Sequence, residues 1–216
     1  MRGYSVSTDV GTSRSAPSGP STNRNAPHDV TTIGGLNAGR GWRIWVTRHP
    51  IAGAVLSGLV AGQISTVFGI WFHGIGLPDL DWPVANGAVV DAKASVPVQF
   101  AIGEFFHSID CVVFALIFAL FFFPLLGKIV NPVTNMAKAV LFGLVLATLS
   151  AGFLVPYVYF PHVGAGIFGS GFGWKLVFAV YLWHVIYGVN LGMMYNPLPL
   201  DDPAFRVDLP QPRTTS

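Results

Sequence analysis

The sequence predicts an all-α membrane protein: a four-helix transmembrane bundle preceded by a disordered polar amino-terminal arm. Three observations lead there. Only 10% of the 216 residues are charged and 52% are hydrophobic, with a mean hydropathy of +0.56. A soluble domain carries roughly 25% charged residues, so this chain lacks the ions to solvate a globular surface. Four apolar segments each reach the roughly 20 residues that a helix needs to cross a bilayer. Finally, Lys and Arg collect in alternate connections, as they do in proteins that are oriented by their basic loops.

The elements follow in chain order. Met1 to Gly41 is rich in Ser, Thr, Gly, Pro, Asn and Arg and has no apolar period. Such a segment cannot bury enough surface to offset its chain entropy, so residues 1–41 are expected to be a disordered arm. It has no apolar core of the kind that marks a secretory signal. Residues 42–50, Trp-Arg-Ile-Trp-Val-Thr-Arg-His-Pro, form a Trp/Arg belt suited to a membrane interface. The transmembrane domain is placed at 51–198, with spans at about 51–72, 98–126, 137–160 and 174–195, and a polar tail at 199–216. Pro50, Pro97, Pro161 and Pro197 punctuate segment ends, where a missing backbone donor does least harm. Pro124 and Pro156 fall near the ends of spans two and three and are expected to kink them.

Of the Lys and Arg residues, all but Lys93 and Lys175 fall in the amino-terminal arm, the second loop or the tail. That asymmetry predicts an inner-membrane protein with both termini cytoplasmic. The net charge of +2 is too small to suggest nucleic acid. Small residues at four-residue spacing, Ala54, Gly58, Gly62 and Thr66 in span one and Gly188 and Gly192 in span four, form stripes that let helices approach closely. No span is broken at its centre and the two halves show no inverted repeat, which argues against a transporter.

The chemistry concentrates in span two. Glu104, the one glutamate of the chain, lies three residues before His107 and six before Asp110. Three ionisable groups in hydrocarbon are costly, and an intramembrane cluster is a functional-site hypothesis by default. Positions i and i+3 share a helix face, so the three fall on one arc of about 120° at 3.6 residues per turn. His184 in span four lies at the depth of His107, with Tyr181 one turn before it and Ser108 beside the arc; Gln63, Ser65 and Thr66 of span one and Thr148 and Ser150 of span three can reach the same level. Glu104, His107 and His184, with Asp110 beside them, would make a two-histidine, one-carboxylate set for a single metal ion. The two histidines alone could be axial ligands of a haem, and the three charged groups in line could relay protons. A di-iron carboxylate site is excluded, because it needs more glutamates than the chain has. The bland alternative is that these groups hydrogen-bond one another and join helices. Cys111, the lone cysteine, rules out an internal disulfide and a cysteine zinc site. His73 and His162 read as solvated interface histidines. The Gly-rich run from Gly164 to Gly173 precedes no strand and is not a nucleotide loop.

The stretches Gly103-Glu-Phe-Phe-His107 and Trp183-His184, in a Gly-rich first span, a Phe/Val-rich second and a Gly/Ala-Leu third, resemble the YagU-like family of small bacterial inner-membrane proteins. The resemblance covers about residues 48–198 and implies the architecture and a membrane role, with no catalytic residue to transfer. The arm departs from it. No catalytic motif appears in the chain. The expected function is therefore a non-catalytic accessory or stabilising subunit of a larger membrane complex, with membrane-protein partners or further copies of itself in the lipid bilayer. The alternative is a metal- or haem-binding redox or proton-transfer protein, and the third a transporter or channel component.

Overall fold

A computed structural model describes residues 35–127, 130–199 and 202. Residues 1–34 of the arm, Lys128, and nearly all of the 199–216 tail, including Arg206 and Arg213, lie outside the described residues. Six helices carry the fold among the described residues: α1 (Gly35–Arg48), α2 (Pro50–Ile70), α3 (Trp82–Val90), α4 (Val96–Leu125), α5 (Pro132–Tyr159) and α6 (Trp174–Met194). Helices α2, α4, α5 and α6 are each long and apolar enough to cross a membrane. The molecule is an all-α, polytopic membrane protein.

Proline starts most of these helices. Pro50, Pro83, Pro97 and Pro132 each sit in the first turn of α2, α3, α4 and α5. There the missing N–H is one that the helix could not have used, and the fixed φ favours helix entry. Asn131 and Thr134 add a reciprocal capping box at α5. Two internal prolines leave a different mark. The far half of α5, Ser150–Tyr159, is wound as π-helix around Pro156, and Phe118–Phe122 of α4 does the same just before Pro124. Proline has no N–H to give and its ring displaces the carbonyl four residues back, so the ladder widens locally.

Helix α1 begins at Gly35, inside the segment expected to be a disordered arm. Its Trp42 and Trp45 rings stack at 5.1 Å, and Val46 is fully buried against Gly53 of α2. Trp42 Nε1 donates to the Met194 carbonyl at 2.7 Å, and Arg43 donates to the carbonyls of Asn196 (3.1 Å) and Pro197 (3.3 Å). These donors satisfy carbonyls that the end of α6 leaves open. Residues 42–50 are thus a helix-ending clamp that ties α1 to the end of α6, and both lie at one end of the bundle.

Within the bundle, α2 packs against both α4 and α6, and α5 packs along α6. Glycine sets those approaches. A Cβ on Gly58 would lie 2.6 Å from the Ala115 Cβ and the Cys111 carbonyl oxygen of α4, and one on Gly188 would lie 2.6 Å from the Ala139 oxygen of α5. The stripe Ala54, Gly58, Gly62, Thr66 therefore faces α4 inside the molecule, and Gly188 and Gly192 face α5.

The element that sequence reasoning did not place is α3. It starts with the Asp81 side chain accepting from Val84 N at 3.0 Å, and it packs along the first half of α4 while touching the far half of α5. Gly87 of α3 lies on the backbone of Gln99, and Gly103 of α4 on that of Pro83. The first loop is thus not a simple hydrophilic connection; its Trp82–Val90 stretch is a short helix wedged between two spans. At its start, His73 N and Nδ1 bond Asp79 Oδ1 at 2.8 and 2.9 Å. The His73 backbone N–H holds the Asp79 carboxyl below its ordinary pKa.

Candidate functional site

Helix α4 decides where the ionisable groups go. Over Val96–Ile117 its buried residues are Gln99, Gly103, His107, Cys111 and Ala115, a strict four-residue stripe. That stripe is pinned on one side by the backbone contact of Gly103 with α3 and on the other by Cys111 and Ala115 against Gly58 and Gly62. With His107 facing inward, Glu104 and Asp110 are turned about 60° to either side of it, from 3.6 residues per turn. The arc drawn from the sequence is present, but its two acids leave the interior in opposite directions.

His107 is 6% exposed. Its Nε2 shares a 3.0 Å hydrogen bond with Thr66 Oγ1 of α2 and lies 3.7 Å from Cys111 Sγ. Its ring packs 5.6 Å from Trp183 of α6.

Glu104 turns to the other flank of α2. The exposed Gln63 amide donates to the Glu104 carboxylate, Ser108 Oγ donates to it at 3.1 Å, and Gln63 also reaches Ser108 at 3.3 Å. This trio lies on the outer surface of the bundle, bordered by Phe105, which is 64% exposed, and by a concavity of about 250 Å³ along Ile64, Val67 and Phe68.

Asp110 and His184 meet a second environment. They line, with His107, a cavity of about 60 Å³ between α3, α4, α5 and α6. Trp82, Trp183 and Phe114 give it apolar walls, and Asn86, Ser150 and Tyr159 add polar ones. His184 is 8% exposed, and its Nδ1 donates to the Val180 carbonyl at 2.7 Å. Tyr159 donates its hydroxyl to Asn86 Oδ1, joining α5 to α3, and Tyr187 donates to the Cys111 carbonyl at 2.8 Å. Tyr181, expected at the level of His184, instead pairs with the exposed Thr148 at 3.0 Å on an outer seam of α5 and α6.

The structure thus separates the expected cluster. Among the described residues no group of three His, Cys, Asp or Glu side chains is gathered as a metal would require, so Glu104, His107 and His184 do not form a three-residue ligand set. Nor does the space beside the histidines suit a haem. Pockets for drug-sized ligands run about 300–1,000 Å³, against about 60 Å³ here. His73 is not free either, since it pairs with Asp79.

Asn86 and Tyr159 are the site residues that sequence reasoning did not assign, whereas Ser150 stands in the layer expected of it. A signal for the first existed. Asp81 followed by Pro83 and an apolar run to Val90 is a helix start, and that helix carries Asn86. No protein-family model, curated protein or solved structure matches the chain.

Proposed function

We propose that this chain is a non-catalytic accessory subunit that stabilises a larger membrane complex, seated by the face of α2 and α4 that carries Gln63, Glu104 and Ser108. The observation that supports the reading is the outward aim of that trio. Ionisable residues in spans almost always face a bundle interior or a water-filled cavity. Glu104 is only half-buried, beside the exposed Gln63, and a further protein helix over this face would complete the interior around it. Hydrogen bonds between membrane helices contribute only about 0.6 kcal/mol on average. The driving consideration is the cost of leaving a carboxyl against lipid, which one partner donor removes.

The partner is a different protein rather than a second copy. A two-fold interface places the same patch on both sides, which would set Glu104 against Glu104. A heterologous helix with a Lys, Arg, Ser or Asn at the matching depth meets the carboxylate without that repulsion. The charge bias of the loops and arm supports an inner-membrane setting with both termini cytoplasmic.

Purification from native membranes in mild detergent tests the proposal. A partner at fixed stoichiometry, lost in Glu104→Leu and Gln63→Leu while the melting of the chain is unchanged, is the expected result. A monodisperse lone chain, or a homodimer that both variants leave intact, would refute it.

A further inference from the structure

The cavity between α3, α4, α5 and α6 holds polar groups that the subunit reading does not use, and its argument is independent of that reading. His184 fixes its own tautomer. A carbonyl oxygen can only accept, so the 2.7 Å contact with Val180 places the hydrogen on Nδ1 and leaves Nε2 as a bare acceptor. Nδ1 is committed to the residue's own helix, which leaves Nε2 as the ring nitrogen available to the cavity that His184 lines. No hydrogen bond to that nitrogen is present, although the residue is more than nine-tenths buried. Ser150 is 4% exposed, lines the same cavity, and its hydroxyl also has no partner.

At the cavity's outer edge stands Asp110, with no hydrogen bond and no ion pair among the described residues. It lies about 21 Å along α4 from Val96 at 1.5 Å per residue, which is the middle of the span. A carboxyl there needs water, a proton or a counter-charge, and the cavity supplies no cation.

Size selects among guests. A water molecule takes about 30 Å³ of liquid, whereas a cavity that accepts benzene measures about 150 Å³. At about 60 Å³ and open on one side, this one has room for a few waters and is small for an aromatic ring. Each water would find the two to four polar partners it requires among Asp110, His184 Nε2, Ser150 and Asn86. Ser150 also opens a π-helical stretch, and such stretches often accompany functional sites.

We propose that the cavity is a hydrated proton-binding site, in which Asp110 holds one proton and shares it through water with His184 Nε2. The balance is simple. Asp110 gains a proton from a hydronium ion, which leaves as water, and the acid O–H donates to a cavity water. That water in turn donates to His184 Nε2. The titratable groups around His184 are His107, Asp110 and Cys111 from α4, Tyr159 from α5 and Tyr187 from its own helix. α3 adds Asn86 and Trp82, neither of which titrates, and α2 adds Thr66. Glu104 lies on the opposite flank with Gln63.

Infrared difference spectroscopy of the full chain in lipid nanodiscs, stepped in pH, tests the site. The wild-type protein should show a titrating carboxylic-acid C=O band that Asp110→Asn removes. Its midpoint should move by about one pH unit or more, a tenfold change in proton affinity, in His184→Phe, which removes the acceptor and fills the space. Exchange into H₂¹⁸O should shift water O–H bands that His184→Phe abolishes. His184→Gln, which retains a polar side chain, carries the same test should the Phe variant fold poorly. An Asp110 band indifferent to both His184 variants, or the absence of ¹⁸O-sensitive bands, would overturn the proposal.

Discussion

Replacing Gly103 by alanine probes the wedge that holds α3 in the bundle. A Cβ there would lie 2.5 Å from Gly87 N and 2.7 Å from the Pro83 carbonyl carbon, both backbone atoms of α3. Carbon atoms rest at about 3.5–4.0 Å, and the Pro83 carbonyl oxygen lies closer still, so α3 as a whole must retreat by more than about 1 Å. No side chain can rotate away to relieve the contact. Overpacking costs about 1–3 kcal/mol, and a clash with rigid backbone belongs at the top of that range. Alanine returns up to about 1 kcal/mol of helix propensity over glycine, which leaves a net loss of about 2 kcal/mol, or about 30-fold in the folding equilibrium. Gly39→Ala in α1 is the matched control, because its Cβ meets nothing within 4 Å and only the propensity gain remains. Equilibrium unfolding in mixed micelles, followed by helicity, should separate the two variants by about 3 kcal/mol, the full cost of the clash. If Gly103→Ala is as stable as Gly39→Ala, α3 does not pack on α4 as described.

Other perturbations have equally definite outcomes. Thr66→Val leaves the buried His107 Nε2 without its hydroxyl partner and should cost about 1–3 kcal/mol in the same assay, with Thr66→Ser restoring most of it. Tyr159→Phe removes the hydroxyl that joins α5 to Asn86; a loss of about 1 kcal/mol and faster amide exchange in α3 are expected. The Asp79 pKa is depressed by the His73 N–H, so this contact contributes fully above the ordinary carboxyl value. It is lost as pH falls through the lower folded-state value. Exchange protection of the His73 amide should therefore be flat from neutral pH down to about 4 and fall below it, and Asp79→Asn should abolish that acid step.

Much of this molecule can be read from its residues. The four spans follow from run length and the scarcity of charge, and the close approaches follow from Gly58, Gly62, Gly188 and Gly192, whose spacing marks a helix face. What the residues do not disclose is the rotation of α4. Glu104, His107 and Asp110 fit one arc, but the arc's centre is fixed by Gly103 against α3, a contact between segments whose packing no periodicity records. That rotation leaves Glu104 half-buried beside Gln63 and Asp110 exposed at the edge of the cavity, so the expected metal set divides in two. Helix α3 was missed for a different reason. Trp82 to Val90 is too short to span, and acidic neighbours at Asp79, Asp81 and Asp91 make the loop look solvated. The π-helical turn at Ser150 likewise depends on how Pro156 is accommodated, which the residue alone does not determine.

Photocrosslinking in native membranes is the most direct measure of whether another protein covers the Glu104 face. A benzophenone side chain at Val67, exposed beside the trio, should give one discrete adduct with a single foreign membrane protein. The same group at Leu141, exposed on α5, should give none. Adducts from Val67 with lipid alone, or with a second copy of the chain, would show that no foreign protein covers this face.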